Sequence, residues 1–178
     1  MMKAALVGFG TISIVHIDAI ASNPGMELVA ICDKYKPALD KQRELCGDGI
    51  AYYLDFDEFI NHDMDAVVLA NYATEHATYA IKCMRAGMHV LSEVLPCETM
   101  AQAVELIETI EATGLVYAYG ENYCYMPGPR EMRKLYRQGK IGAFEYGEGE
   151  YIHNCEPIWP DITYGEAEHW RNNMYATF

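Results

Sequence analysis

The chain has 178 residues, 51% of them hydrophobic, and a formal net charge of −13. That length holds one domain and the start of another, with enough apolar residues for a core, and the negative balance argues against nucleic acid and anionic membranes as partners. No apolar run approaches the ~18–20 residues needed to cross a bilayer, and the first one stops at Gly8, too early for a signal peptide. Six cysteines are widely spaced with no C-x-x-C pair, which speaks against a zinc site or a disulfide framework. The composition reads as a cytoplasmic protein without a metal.

Residues 3–7 (Lys-Ala-Ala-Leu-Val) have the length of a buried strand and lead into Gly8-Phe9-Gly10-Thr11-Ile12-Ser13, then a helical pattern to about Ser22. Residues 26–32 form a second apolar run that ends on Asp33. Strand, glycine turn, helix, strand and acid suit a dinucleotide-binding unit. Gly8 permits the tight turn, Gly10 lets a pyrophosphate approach the backbone, and the amides at the helix start face its negative charge. Asp33 stands where a carboxylate can accept both hydroxyls of the adenosine ribose. It would repel a 2′-phosphate, which favours NAD over NADP, although Lys34 could neutralise that phosphate. Ser13 replaces the third glycine of the motif and is small enough for close packing. An ordinary glycine turn is the other reading of the same pattern.

Further along, Pro37 suits the first turn of a helix that stops at Gly47, and residues 50–54 form a short strand. Asp55-Phe56-Asp57-Glu58 reads as a capping box, and residues 65–70 as a buried strand. Thr74 is a candidate cap for a helix ending at Gly87, residues 88–91 are the next strand, and Thr99-x-x-Gln102 caps a helix that ends before Gly114. Residues 115–119 complete six strands alternating with five helices. That alternation predicts a Rossmann-type α/β fold, a doubly wound parallel sheet in the order 3-2-1-4-5-6. Its ligand crevice lies at the carboxyl ends of strands 1 and 4.

The pattern changes after Gly120. Pro127-Gly128-Pro129 opens a helix bearing Arg130, Arg133, Lys134 and Arg137, and Lys140 follows it. It reads as a solvated face or as a partner for the acidic residues 144–178, which hold seven acids against Arg171 alone. Residues 144–153 alternate like a strand with one exposed face. Nine of the fourteen tyrosines and both tryptophans lie from Tyr117 onward, as plain core or as a substrate or subunit surface.

Gly8-Phe9-Gly10, His16, Asp33, residues 65–68 (Asp-Ala-Val-Val), His76, residues 86–93 (Ala-Gly-Met-His-Val-Leu-Ser-Glu) and Asn122 together resemble the glucose–fructose oxidoreductase / inositol dehydrogenase / MocA family over about residues 1–153. The resemblance implies an NAD-binding Rossmann domain, residues 1–122, then the truncated start of an α/β second domain for substrate and oligomerisation, residues 123–178. It implies NAD- or NADP-dependent oxidation or reduction of a small-molecule sugar, polyol or derivative, and a homo-oligomer formed through the second-domain sheet. The family's Glu-Lys-Pro is here Glu93-Val94-Leu95-Pro96, so the lysine near the nicotinamide is absent and Val94 stands in its place. A Glu-Val pair is similar to the family's NAD-dependent glycosidases, which cleave glycosidic bonds through transient oxidation. Asn71-Tyr72 replaces the usual Thr-Pro after strand 4. The family's Asp-x-x-x-His helix is expected beyond residue 178, which leaves the catalytic residues unassigned and these 178 residues binding cofactor without turnover.

The expected cofactor contacts are Gly8, Phe9, Gly10, Thr11, Ile12, Asp33, Lys34, Ala70, Asn71, His76, Glu93 and Asn122. Tyr125 and His153 are weaker candidates for substrate. His76, after strand 4, reads equally as a ligand contact or a cap, and His16 and His89 read as packing histidines. Three functions stay open: an NAD-dependent oxidoreductase, a redox-assisted glycosidase, and a non-catalytic nucleotide-binding module.

Overall fold

Alternate residues of the first strand, β1 (Met2–Val7), point to opposite faces of a sheet, and both faces are buried. Ala5 and Val7 pack on one side with Phe59, Ile81, Met84 and Leu106, while Ala4 and Leu6 pack on the other with Ile20 and Leu39. This double cover is why the strands read as continuous apolar runs rather than alternating ones. The computed structural model describes residues 1–150, 152, 154–163 and 169–173. The chain divides into two compact units, Met1–Glu121 and Asn122–Phe178.

In the first unit β1 is joined by β2 (Met26–Cys32), β3 (Ala51–Tyr53), β4 (Ala66–Leu69), β5 (His89–Ser92) and β6 (Tyr117–Tyr119). All pairings are parallel, in the order β3-β2-β1-β4-β5-β6. At the centre Leu6 stands beside Ile31 on one flank and Val68 on the other. Helices α1 (Thr11–Ala21) and α2 (Lys36–Cys46) cover one face, and α3 (Phe56–Phe59), α4 (His76–Arg85) and α5 (Met100–Thr113) the other. Strand order reverses between β1 and β4, so their carboxyl ends open the crevice.

Local chemistry sets the helix ends. Asp55 accepts the amides of Asp57 and Glu58 at 2.7 and 3.2 Å. Thr99 and Gln102 form a reciprocal capping box, and Gly114, at φ +64°, closes α5 in the left-handed region. Thr74 does not cap α4 as expected. A 3-10 turn, Ala73–Glu75, precedes that helix, and Glu75 N donates to Tyr72 O at 2.9 Å, so backbone bonding starts the helix instead.

The second unit contains a 3-10 turn (Tyr123–Tyr125), α6 (Pro127–Arg137), a further 3-10 turn (Glu156–Ile158), α7 (Trp159–Ile162) and α8 (Trp170–Asn173). The strand expected at residues 144–153 is not formed among the described residues. Phe144 and Tyr146 are 73% and 78% exposed. Gly147 and Gly149 interrupt the run, and a Cβ on Gly147 would lie 2.9 Å from the Phe144 ring. No helix among the described residues is long and apolar enough to cross a membrane.

Candidate functional site

Two glycines at the end of β1 serve different purposes. Gly8 adopts φ +89°, and a Cβ there would stand 2.5 Å from both Asn71 Cα and Asn71 N. The exit of β4 crosses it too closely for any side chain. Gly10 is extended, at φ −117° and ψ −169°, and a Cβ there would meet nothing within 4 Å. The space above Gly10 is open, beside the start of α1. No side chain caps that helix and no acid stands in its first turn, which leaves its leading amides to an anion. Ser13, in the third glycine position, is fully buried and donates its hydroxyl to Gly10 O at 2.6 Å. Thr11 opens α1, and Ile12 is 41% exposed at its first turn.

Asp33 directly follows β2 and is fixed by two amides. Phe9 N donates to Oδ2 and Tyr35 N to Oδ1, each at 2.7 Å. Phe9 thus serves the site by holding Asp33 through its amide. Burial pushes the Asp33 carboxyl above its ordinary range, against the pull of the Tyr35 and Phe9 amides and the Lys34 charge. Each carboxylate oxygen keeps a lone pair for a further donor such as a ribose hydroxyl.

Lys34 donates from Nζ to Glu75 Oε1 at 2.8 Å and lies 4.6 Å from the Tyr72 ring centroid. Asn71 donates from Nδ2 to Glu75 Oε2 at 3.1 Å. Ala70 N continues the sheet by donating to Val7 O at 2.8 Å.

His76 departs from the expected ligand contact. It is 1% exposed, with Nδ1 at 2.8 Å from Leu95 O and Nε2 at 3.1 Å from Asn71 O. Both ring nitrogens face backbone carbonyls, so His76 ties the loop after β4 to the loop after β5 and offers no nitrogen to the crevice. His89 is a satisfied strand histidine whose Nδ1 accepts from Val116 N at 3.0 Å.

Glu93, just past β5, turns toward α1, and its Oε1 lies 2.7 Å from His16 Nε2. His16, expected as a packing histidine, lies against this carboxylate. The available signal was helical spacing, since Ser13, His16 and Ile20 share the inward face of α1. A Cβ on Gly120 would lie 3.0 Å from Ser92 O, which shows how closely the exits of β5 and β6 approach.

Asn122 and Tyr125 belong to the second unit, where Asn122 O accepts from Tyr125 N at 3.0 Å and Tyr125 is 72% exposed. His153 and the side chain of Thr11 lie outside the described residues. Among the described residues no group of three or more His, Cys, Asp or Glu side chains could hold a metal ion.

The Gfo/Idh/MocA oxidoreductase family, described by its NAD-binding Rossmann fold, matches residues 2–121. A glycosyl hydrolase family 109 protein from Shewanella sp. strain ANA-3 is 27% identical over 99% of this chain. Scyllo-inositol dehydrogenase from Lactobacillus casei, solved with bound NAD(H) and scyllo-inositol, matches 80% of this chain and 42% of its own, at 25% identity and a TM-score of 0.72. The WlbA dehydrogenase of Bordetella pertussis, solved with NADH and UDP-GlcNAcA, is 27% identical at a TM-score of 0.73, over 79% of this chain and 43% of its own. The chain spans 42% of the length of the curated relative it matches.

Proposed function

The chain belongs to the Gfo/Idh/MocA family of oxidoreductases with an NAD-binding Rossmann fold, and from that premise we propose that the unit Met1–Glu121 holds NAD along the carboxyl ends of β1, β4 and β5, for hydride exchange with a sugar, a polyol or a derivative. The carrying observation is the open space over Gly10 beside the uncapped start of α1, with Asp33 fixed at the end of the neighbouring strand. The pyrophosphate would lie against Gly10 and the leading amides of α1, and the ribose hydroxyls against Asp33. Ala70 and Asn71 would wall the crevice, with Glu93 at its far edge. Bound NAD supplies the hydride acceptor or donor, and this chain's residues bind and orient it. We read residues 123–178 as the beginning of a substrate domain.

The substrate class is supported by the solved relatives, one holding scyllo-inositol and one UDP-GlcNAcA. A second reading, an NAD-dependent glycosidase, is favoured by Val94 in the lysine position and by the glycosyl hydrolase relative. Titration with NADH, followed by its fluorescence, tests the cofactor reading; saturable binding is expected, and none would overturn it. In a protein that also carries the expected Asp-x-x-x-His helix, net NADH accumulation with a polyol supports the dehydrogenase, whereas aglycone release without net NADH supports the glycosidase.

A further inference from the structure

Glu75 is engaged by both of its oxygens. Oε1 accepts from Lys34 Nζ at 2.8 Å and Oε2 from Asn71 Nδ2 at 3.1 Å. The Asn71 end is rigid, because the Asn71 backbone lies against Gly8 and its carbonyl faces His76 Nε2 at 3.1 Å. The Lys34 end is the more open one, with the lysine side chain 59% exposed and that of Glu75 29%. Lys34 directly follows Asp33, so it is the side chain best placed to neutralise a phosphate on the adenosine ribose. In this arrangement its ammonium is drawn to Glu75 and over the Tyr72 ring.

We propose that Glu75 is a specificity-determining residue for the cofactor: it occupies Lys34 in an ion pair, so that a 2′-phosphate at Asp33 meets a negative charge while the adjacent cation is already engaged. The inference rests on the NAD reading above. It goes further by assigning the discrimination to the loop after β4 as well as to the acid after β2. Specificity of this kind comes from repulsion of the wrong ligand as much as from attraction of the right one.

The test is a set of binding titrations with NAD and NADP on the wild-type chain and on Glu75→Gln, Lys34→Met and the double variant. Gln keeps a side-chain oxygen for Asn71 while removing the charge, and thermal unfolding of each variant confirms the fold. Glu75→Gln is expected to narrow the NAD preference by up to about fivefold, through tighter NADP binding, because an exposed ion pair is worth no more than that. Lys34→Met alone should change the ratio little, because Lys34 is already occupied. In the double variant the NADP gain should disappear. An unchanged ratio in Glu75→Gln, or a gain that survives loss of Lys34, would overturn the proposal. Should the wild type bind neither nucleotide, the NAD reading itself fails, which is distinct from binding with an unaltered preference.

Discussion

His16 Nε2 on α1 and Glu93 Oε1 past β5 stand 2.7 Å apart, with their side chains 16% and 18% exposed. The contact joins the helix that starts over Gly10 to the strand exit at the far edge of the crevice, so two elements expected to hold opposite ends of one cofactor are fixed to each other. Removing the imidazole leaves a largely buried carboxylate short of a partner. His16→Ala should therefore destabilise the fold by about 1–3 kcal/mol, while His16→Gln, which can still donate to Glu93, recovers part of the loss. Urea unfolding of both variants checks this, and equal stability of His16→Ala and wild type would remove the pair from the scaffold.

The two glycines after β1 separate stability from binding. Gly8→Ala places a methyl 2.5 Å from the Asn71 backbone at φ +89°, and should cost about 3 kcal/mol or more, from strain and overpacking together. Gly10→Ala meets no protein atom within 4 Å and keeps an ordinary φ. Its stability should stay the same or rise by about 0.4–1 kcal/mol, while NAD binding weakens by tenfold or more. Paired melting and titration experiments read both quantities. Tight NAD binding by Gly10→Ala would mean that the open space is not where the pyrophosphate lies.

Gln42 is fully buried on α2, and neither atom of its amide has a hydrogen-bond partner among the described residues. A buried amide without partners loses the hydration it has in the unfolded chain and gains nothing in return. Gln42→Met keeps a similar length and flexibility without the polar end. It should stabilise the protein by about 1 kcal/mol, read from the urea midpoint at constant slope. A loss of stability would show that the amide is satisfied in solution.

Much of this arrangement was legible in the sequence because local signals agreed with the global one. Gly47, Thr99 and Gly114 mark helix ends by chemistry that acts within a few residues, and six apolar runs separated by helices leave few sheet topologies open. What the sequence concealed depends on contacts made at long range. His76 looks crevice-facing from its place after β4, yet its ring nitrogens lie against Asn71 O and Leu95 O, and the second belongs to the next strand's exit. His16 and Glu93 are 77 residues apart, so their pairing follows only from the sheet order. Residues 144–153 read as a strand with one exposed face, but a face pattern cannot provide the neighbouring strand that it needs.

If NAD binds as proposed, Asp33 should make its binding depend on pH in a direction set by the burial of this carboxyl. Burial raises its carboxyl pKa above the ordinary 3.8, more than the Tyr35 and Phe9 amides and Lys34 lower it. Relative to the unfolded chain, the folded apo protein therefore holds this proton more tightly. Ionised Asp33 costs the fold stability at neutral pH, and that cost is relieved as pH falls through the raised pKa toward 3.8. Ribose hydroxyls donate to the ionised form and favour it, so bound NAD should pull the pKa back down. By linkage, NAD affinity should weaken as pH drops through the raised pKa of the free protein, with the change beginning above pH 3.8. Asp33→Asn should bind NAD more weakly at neutral pH and lose this dependence on acidification. Carboxyl-carbon NMR of Asp33 with and without NAD, together with titrations across the acid range, measures both halves of the cycle. A carboxyl that titrates at the same pH free and bound would show that the ribose hydroxyls do not reach Asp33.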